Sequence, residues 1–458
     1  HLLSRRQRQM CIRDRYMERV ADKLKDLLDK SYSPFHFVLN MENELLNKGF
    51  IKLDEKENFN ITAGKKYFVT RNDSSVIAFK IPENLTEFSL QITATHTDSP
   101  SFKIKPNPVI RKLNSVLLNV EPYGGMIYST WFDKPLSIAG RVMVKEDNKI
   151  ETHLLAVDED LLIIPNVAIH MNREINSGYI YNPSRDLIPL LGTNIGDDFD
   201  FNKFLLRELN IDKGEIIGHD LFLYNRQKAS FIGYDKSLFA SMRLDDLSSS
   251  YTALLGFLDG KNSENISLFA SFDNEEVGSL TKQGANSTFL KDTIKRIIKA
   301  LGGTYDDFEK IASKSVMISI DNAHANHPNR LDLSDSTTNV MLNNGIVIKY
   351  NANQSYTTDS YSSAIVKAIC QKNKQNYQEI TNRSDLRGGS TLGNLSNGEI
   401  SLTCADIGIA QLAMHSSYEV LGTSDIEEMK KFVETFYSTT IEPVSYTHLR
   451  AHETDSYL

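Results

Sequence analysis

The sequence predicts an α/β fold, a central mixed sheet flanked by helices, with a β-rich domain inserted into it. Three observations carry this expectation. Apolar runs of buried-strand length alternate with amphipathic helical spacing at both ends of the 458-residue chain. Between about 102 and 236 the texture changes to short β-rich runs separated by turn signals. Acidic and histidine residues then gather where strands of the outer segments end, which is where open α/β sheets place their sites.

The elements follow in order. Val20, Leu24, Leu27 and Leu28 fall at helical spacing, so 17–29 reads as an amphipathic helix. Ser33-Pro34 reads as a cap with proline at the first helical position, and a second helix runs to about Asn47 with Gly49 beyond it. Residues 67–70, 75–81 and 88–95 read as strands, the last ending at His96. Runs such as 115–120 and 140–144 belong to the inserted domain, in which no long helical pattern precedes 199–209. The α/β pattern resumes after Leu238 with a helix at 250–258, a strand at 266–272 and a helix at 292–301. Strands at 315–320 and 345–350 follow, then helices at about 360–373, 404–421 and 424–437. One α/β domain is therefore expected from 16–101 and 237–443, interrupted by 102–236.

The two ends stand apart. Residues 5–14 (RRQRQMCIRD) and 444–454 (VSYTHLRAHET) resemble translated sequencing-library adaptor. Residues 1–15 and 444–458 are accordingly treated as adaptor-derived tails, expected to be disordered or loosely packed. The tails carry +4 and −1, so the net charge of −8 becomes −11 without them. That acidic balance argues against a nucleic-acid partner, which would need a basic face. Cys370 and Cys404 remain, too few and too distant for a disulfide framework or a thiolate zinc site. No apolar run approaches a membrane span, and a reducing cytoplasm is the expected location.

The chemistry centres on Ser271-Phe-Asp-Asn-Glu-Glu-Val-Gly-Ser279, directly after the 266–272 run. Alone, Glu275-Glu276 reads as a solvated acidic turn. Other strand and loop ends supply His96 with Asp98 two residues on, Asp245-Asp246, and Asp321 followed by His324 and His327. His415 falls within the expected helix at 404–421, where a lone histidine would be core packing. Each residue has an ordinary structural explanation when taken singly. Together they offer nitrogen and carboxylate ligands without thiolate, which suits Zn²⁺, Co²⁺ or Mn²⁺. A carboxylate bridging two such ions, with another beside the water they hold, is the pattern of a two-metal hydrolase.

Five motifs sharpen this reading. His96-Thr-Asp-Ser-Pro100, Arg243-Leu-Asp-Asp246, Asp273-Asn-Glu-Glu-Val-Gly-Ser279, Asp321-Asn-Ala-His-Ala-Asn-His-Pro328 and Leu412-Ala-Met-His-Ser416 occur in this order. In this the chain, from about Tyr16 to about Tyr437, resembles the aspartyl aminopeptidase family of co-catalytic, dodecameric metallo-aminopeptidases. The resemblance implies a metallo-aminopeptidase-type sheet and two divalent ions, most simply zinc. His96 and Asp321 would hold one ion, Glu276 and His415 the other, and Asp245 would bridge them. Glu275 would be the general base and Asp98 the partner of His96. A cis peptide between Asp245 and Asp246 is also implied. His170, in Ile164-Pro-Asn-Val-Ala-Ile-His170, would reach a neighbouring subunit's site and help bind the scissile carbonyl. Lys349, with Tyr356 near it, would bind an acidic side chain, and Gly389 would belong to a glycine-rich loop near the substrate. His324 and His327 would lie at a loop or interface rather than on metal. The implied activity is removal of N-terminal residues, preferably Asp or Glu, from peptides. The implied assembly is a tetrahedral dodecamer of dimers made by the inserted domain. Two other readings are a broader, neutral-preferring aminopeptidase with the same metals, and an inactive shell acting as a scaffold.

Overall fold

The computed structural model of the chain describes residues 19–441 apart from 86, 262, 263 and 387. The adaptor-like tails lie outside the described residues. Nine strands form one mixed sheet, in the spatial order 51–53, 66–71, 75–80, 266–272, 90–96, 316–320, 403–408, 346–350, 377–381. Ile266–Phe272, Leu90–His96, Val316–Ile320 and Thr403–Gly408 are parallel neighbours at its centre. Their carboxyl ends therefore share one edge of the sheet. From Leu90–His96 the chain passes to a neighbour on one side and later returns on the other, which opens a crevice at that edge.

Successive residues of a strand face opposite layers, and both layers here are covered. Phe68, Val76, Ala78, Phe269, Ile318 and Ile407 pack with the helices Leu244–Asp259 and Thr423–Phe436. Val69, Ile77, Phe79, Ile92, Leu268 and Met317 pack with Phe289–Ala300. The polar residues of the central strand are matched rather than exposed. Gln91 Nε2 donates to Phe436 O at 2.9 Å, Thr93 Oγ1 meets Tyr437 OH at 2.7 Å, and Thr95 Oγ1 meets Ser250 Oγ at 2.9 Å. Each would otherwise carry the cost of an unpaired buried polar group.

The first layer depends on a close helix crossing at Gly256. A Cβ there would stand 2.6 Å from Val433 Cβ and 2.8 Å from Lys430 O. Gly256→Ala is therefore expected to destabilise the protein by about 1–3 kcal/mol through overpacking. Thermal unfolding tests this, and an unchanged Tm would show that the two helices can part without cost.

Residues between the two halves form a six-stranded antiparallel sheet in the order 149–156, 136–146, 215–225, 101–112, 115–123, 190–193. It has its own core, with Phe102, Leu118, Trp131, Ile138 and Leu221. The chain then returns to the body, where Ser230–Ile232 pairs with Leu238–Ser241 in a five-stranded sheet.

One expected element is absent. Residues 404–421 are not a helix but the strands Thr403–Gly408, Ala410–Leu412 and Glu419–Gly422. The first of these is sandwiched between both layers, so it is buried at consecutive positions, Asp406 among them, and lacks the alternation that marks a half-buried strand. Gly408 allows the chain to pass against Asp321, whose carbonyl oxygen would lie 2.0 Å from a Cβ at that position.

Candidate metal centre

The crevice at the sheet edge collects the residues singled out above. His96 is the last residue of Leu90–His96 and is buried. Its Nε2 lies 3.5 Å from Asp245 Oδ1 and 3.8 Å from Asp321 Oδ1. The other oxygen of Asp245, Oδ2, lies 3.4 Å from His415 Nε2, which in turn lies 3.3 Å from Glu276 Oε1. One carboxylate thus faces two imidazoles, one on each oxygen. The candidate ligand atoms of His96, Asp245 and Asp321 lie within 4.8 Å of one another, and so do those of Asp245, Glu276 and His415. The Asp245–Asp246 peptide is cis, as the resemblance implied.

Local structure fixes each side chain. His415 lies not on a helix but in the turn between Ala410–Leu412 and Glu419–Gly422, at φ +65°. Its Nδ1 lies 2.7 Å from Gly125 O, so a proton on Nδ1 leaves Nε2 bare and facing the crevice. Its backbone N donates to Glu419 Oε1 at 2.6 Å, and Asp245 N donates to Glu419 Oε2 at 3.1 Å. Glu419 therefore anchors two ligand-bearing segments at once. His96 Nδ1 lies 3.1 Å from Asp98 O and 3.4 Å from Asp98 Oδ1, again leaving Nε2 inward. Asp98 has a second task. Its Oδ1 and Oδ2 accept from the backbone N of Glu275 and of Glu276 at 3.1 and 3.2 Å. The two glutamates occupy a 3₁₀ turn entered through Asn274 at φ +63° and left through Gly278 at φ +97°. Asn322 braces the base of the site, donating to Leu244 O at 2.9 Å and to Gln411 Oε1 at 2.7 Å.

The electrostatics call for positive charge. Burial, with help from neighbouring carboxylates, pushes the Glu275 and Asp246 carboxyls well above their usual range. Burial pushes Glu276 up to about 7. Burial alone would depress the His415 imidazolium, but Asp245 and Glu276 outweigh it and push it up to about 12. His96 is raised by the same balance against Asp245, Asp321 and Asp98. The carboxylate oxygens point the same way. Asp245 Oδ1 and Glu276 Oε1 are buried and have no hydrogen-bond donor in bonding geometry. Orphaned carboxylate oxygens beside inward-facing imidazole Nε2 atoms are a donor set that fits zinc.

A cavity of about 300 Å³ opens over these groups. His96, Asp245, Glu275, Glu276, Asp321 and His415 form its floor. Lys349, Tyr356 and Gly389 also line it, as does His324. Lys349 is buried, with Nζ 3.5 Å from Asp321 Oδ2 and 5.3 Å from the centre of the Tyr356 ring. His170 is elsewhere, in an exposed turn of the 102–236 segment and outside the described lining of this cavity. Glu419 and Tyr123 fall outside the five motifs, and Asn322 lies within one without an assigned role. The Tyr123 hydroxyl donates to Asp98 Oδ2 at 2.7 Å. Glu419 carried a signal, a buried acid four residues after a ligand-type histidine, but only the strand pairing shows that it points inward.

The chain matches known proteins over almost all of this structure. Residues 27–437 match the family described as aminopeptidase I zinc metalloprotease, M18. A probable M18 family aminopeptidase 2 of Clostridium novyi (strain NT) is 45% identical over 426 residues, covering 91% of this chain and 98% of its own. A protein of the same description from Ectopseudomonas mendocina (strain ymp) is 36% identical, covering 92% and 99%. Among solved structures, the cryo-EM structure of the Ape4 and Nbr1 complex aligns with TM-score 0.88 at 34% identity, over 91% of this chain and 85% of that one. The S. cerevisiae mApe1 dodecamer aligns with TM-score 0.79 at 25% identity, over 91% and 96%.

Proposed function

Because the chain belongs to the M18 family of aminopeptidase I zinc metalloproteases, we propose that it removes N-terminal residues, preferably Asp or Glu, from peptides at a centre of two divalent ions. The observation that carries the two-ion reading is the Asp245 carboxylate, whose oxygens face separate imidazoles. His96 and Asp321 would hold one ion, Glu276 and His415 the other, and Asp245 both. Zinc suits these donors, and cobalt or manganese could replace it. When bound, such a pair supplies Lewis acidity and makes a held water acidic enough to serve as nucleophile near neutral pH. Glu275 takes that water's proton and hands it to the departing nitrogen, and the desolvation that raises its carboxyl suits both halves of the task. Glu275 and Glu276 receive the free amine of the peptide, which restricts cleavage to chain ends. His170 of a second copy donates to the scissile carbonyl.

The assembly follows the same line. One structural relative is a dodecamer, and we infer a tetrahedral dodecamer here, built from dimers through the 102–236 domain. Val167, Ile169 and Met171, exposed beside His170, support an interface at that segment. Sites enclosed in this way take unfolded peptides, consistent with a place in the cytoplasm.

The acidic preference rests on Lys349, the one Lys or Arg among the described residues that line the cavity. A cation is what a pocket for Asp or Glu requires. A second reading, a broader preference for neutral residues, draws support from the proximity of Lys349 to Asp321, which already offers the cation a partner. Lys349→Ala separates the two. Loss of a buried charge partner is worth about 2–5 kcal/mol, so kcat/KM for a peptide beginning with Asp should fall roughly 30-fold or more. The matched peptide beginning with Leu should change little. Equal losses on both peptides would remove the acidic pocket.

A further inference from the structure

The six-stranded sheet domain reaches the metal centre at the turn Tyr123-Gly124-Gly125, which ends the strand Ser115–Tyr123. Tyr123 OH donates to Asp98 Oδ2 at 2.7 Å and accepts from Asn274 Nδ2 at 2.7 Å. Asp98 is the residue that orients His96 and holds the backbone of Glu275 and Glu276. A single hydroxyl thus fixes a carboxylate on which three site groups depend. Gly124 follows at φ +74°, where a Cβ would stand 3.1 Å from Glu276 Cβ and 3.4 Å from both Glu276 O and Pro100 Cβ. Only glycine meets both the conformation and the space. Gly125 O faces His415 Nδ1 at 2.7 Å, and Ile127 N donates to His415 O at 3.0 Å. The clamp extends to Ser417, whose N donates to Thr130 Oγ1 at 2.9 Å and whose Oγ donates to Thr130 O at 2.6 Å.

We infer that this turn makes the inserted domain part of the metal centre: Tyr123, Gly124 and Gly125 are positioning residues that set how tightly the centre holds its ions. The groups on the Glu275–Glu276 turn and the His415 turn have little regular structure of their own, and both lean on the insert. Partners that orient metal ligands from outside are worth about 10–100-fold in metal affinity. The inference rests on the reading of the site as a metal centre.

The test uses the full chain. Tyr123→Phe removes the hydroxyl and nothing else. Zinc affinity is read by competition with a chromophoric chelator, and kcat is followed against free zinc. Affinity is expected to fall about 10–100-fold, with kcat restored as free zinc is raised. Gly124→Ala should weaken zinc binding in the same direction by pressing on Glu276. Tyr179→Phe, which loses a hydroxyl bonded to Asp186 in the same domain, should keep wild-type affinity. Wild-type zinc affinity in both Tyr123→Phe and Gly124→Ala would overturn the inference. So would a loss of turnover that zinc does not restore, because that is the mark of a general structural defect. If Tyr123→Phe melts early in the metal-free form, Gly124→Ala decides by the same criteria. Failure of the wild-type chain to take up any divalent ion would instead defeat the metal-centre reading itself.

Discussion

Glu275→Gln is expected to lower kcat by about 10²–10⁴-fold while leaving the metal content unchanged. Glutamine keeps the size of the side chain, and the backbone N–H that Asp98 holds is untouched. What it loses is the ability to accept the water's proton and pass it on. Glu276→Gln is expected to behave differently. Its Oε1 is a buried orphan beside His415, so this substitution should cost metal occupancy first and turnover as a consequence. Elemental analysis beside steady-state rates distinguishes the two. Equal loss of metal in both variants would show that the adjacent glutamates do not divide the work.

Asp245→Ala is expected to empty the centre of both ions and reduce turnover to background. The reason is geometric, since each oxygen of this one carboxylate serves a different imidazole. The drop in affinity should exceed the about 10–100-fold cost of altering an outer partner. His96→Ala, by contrast, should weaken chiefly the ion shared with Asp321. Retention of one ion at full affinity by Asp245→Ala would rule out a bridging role and separate the two ligand groups.

Much of this site was legible in the sequence because its residues sit at the ends of runs of buried-strand length. His96 and Asp321 close runs buried at every position, and such runs announce themselves. Lys349 and Tyr356, to which the resemblance assigns a substrate-binding role, line the cavity. Residues 404–421 lack the expected helix: the first strand there is covered on both faces and carries no alternation, while Ala405, Ala410, Leu412, Ala413 and Met414 favour a helix as readily. That expectation concealed Glu419, which becomes interpretable only once its strand pairs with Leu238–Ser241. Asp98 is implied by the resemblance as the partner of His96. It lies past the strand's end, where its carboxylate can also reach the Glu275–Glu276 backbone. Contacts between segments far apart in sequence, such as Tyr123 to Asp98 and Gly125 to His415, leave no local pattern to read.

The placement of Leu90–His96 at the centre of the large sheet has a consequence for how the protein is made. Leu90 pairs with Ile266 and Gln91 with Val316, partners that follow by 176 and 225 residues. At roughly 5–20 residues per second of synthesis, this strand waits on the order of 10–45 s after emerging before both edges can be covered. The six-stranded domain is complete by Asn225 and can fold within that interval. The nascent chain therefore carries a finished domain beside a bare strand that ends in His96. Its polar positions Gln91, Thr93 and Thr95 make that strand less adhesive than an all-apolar one while it waits.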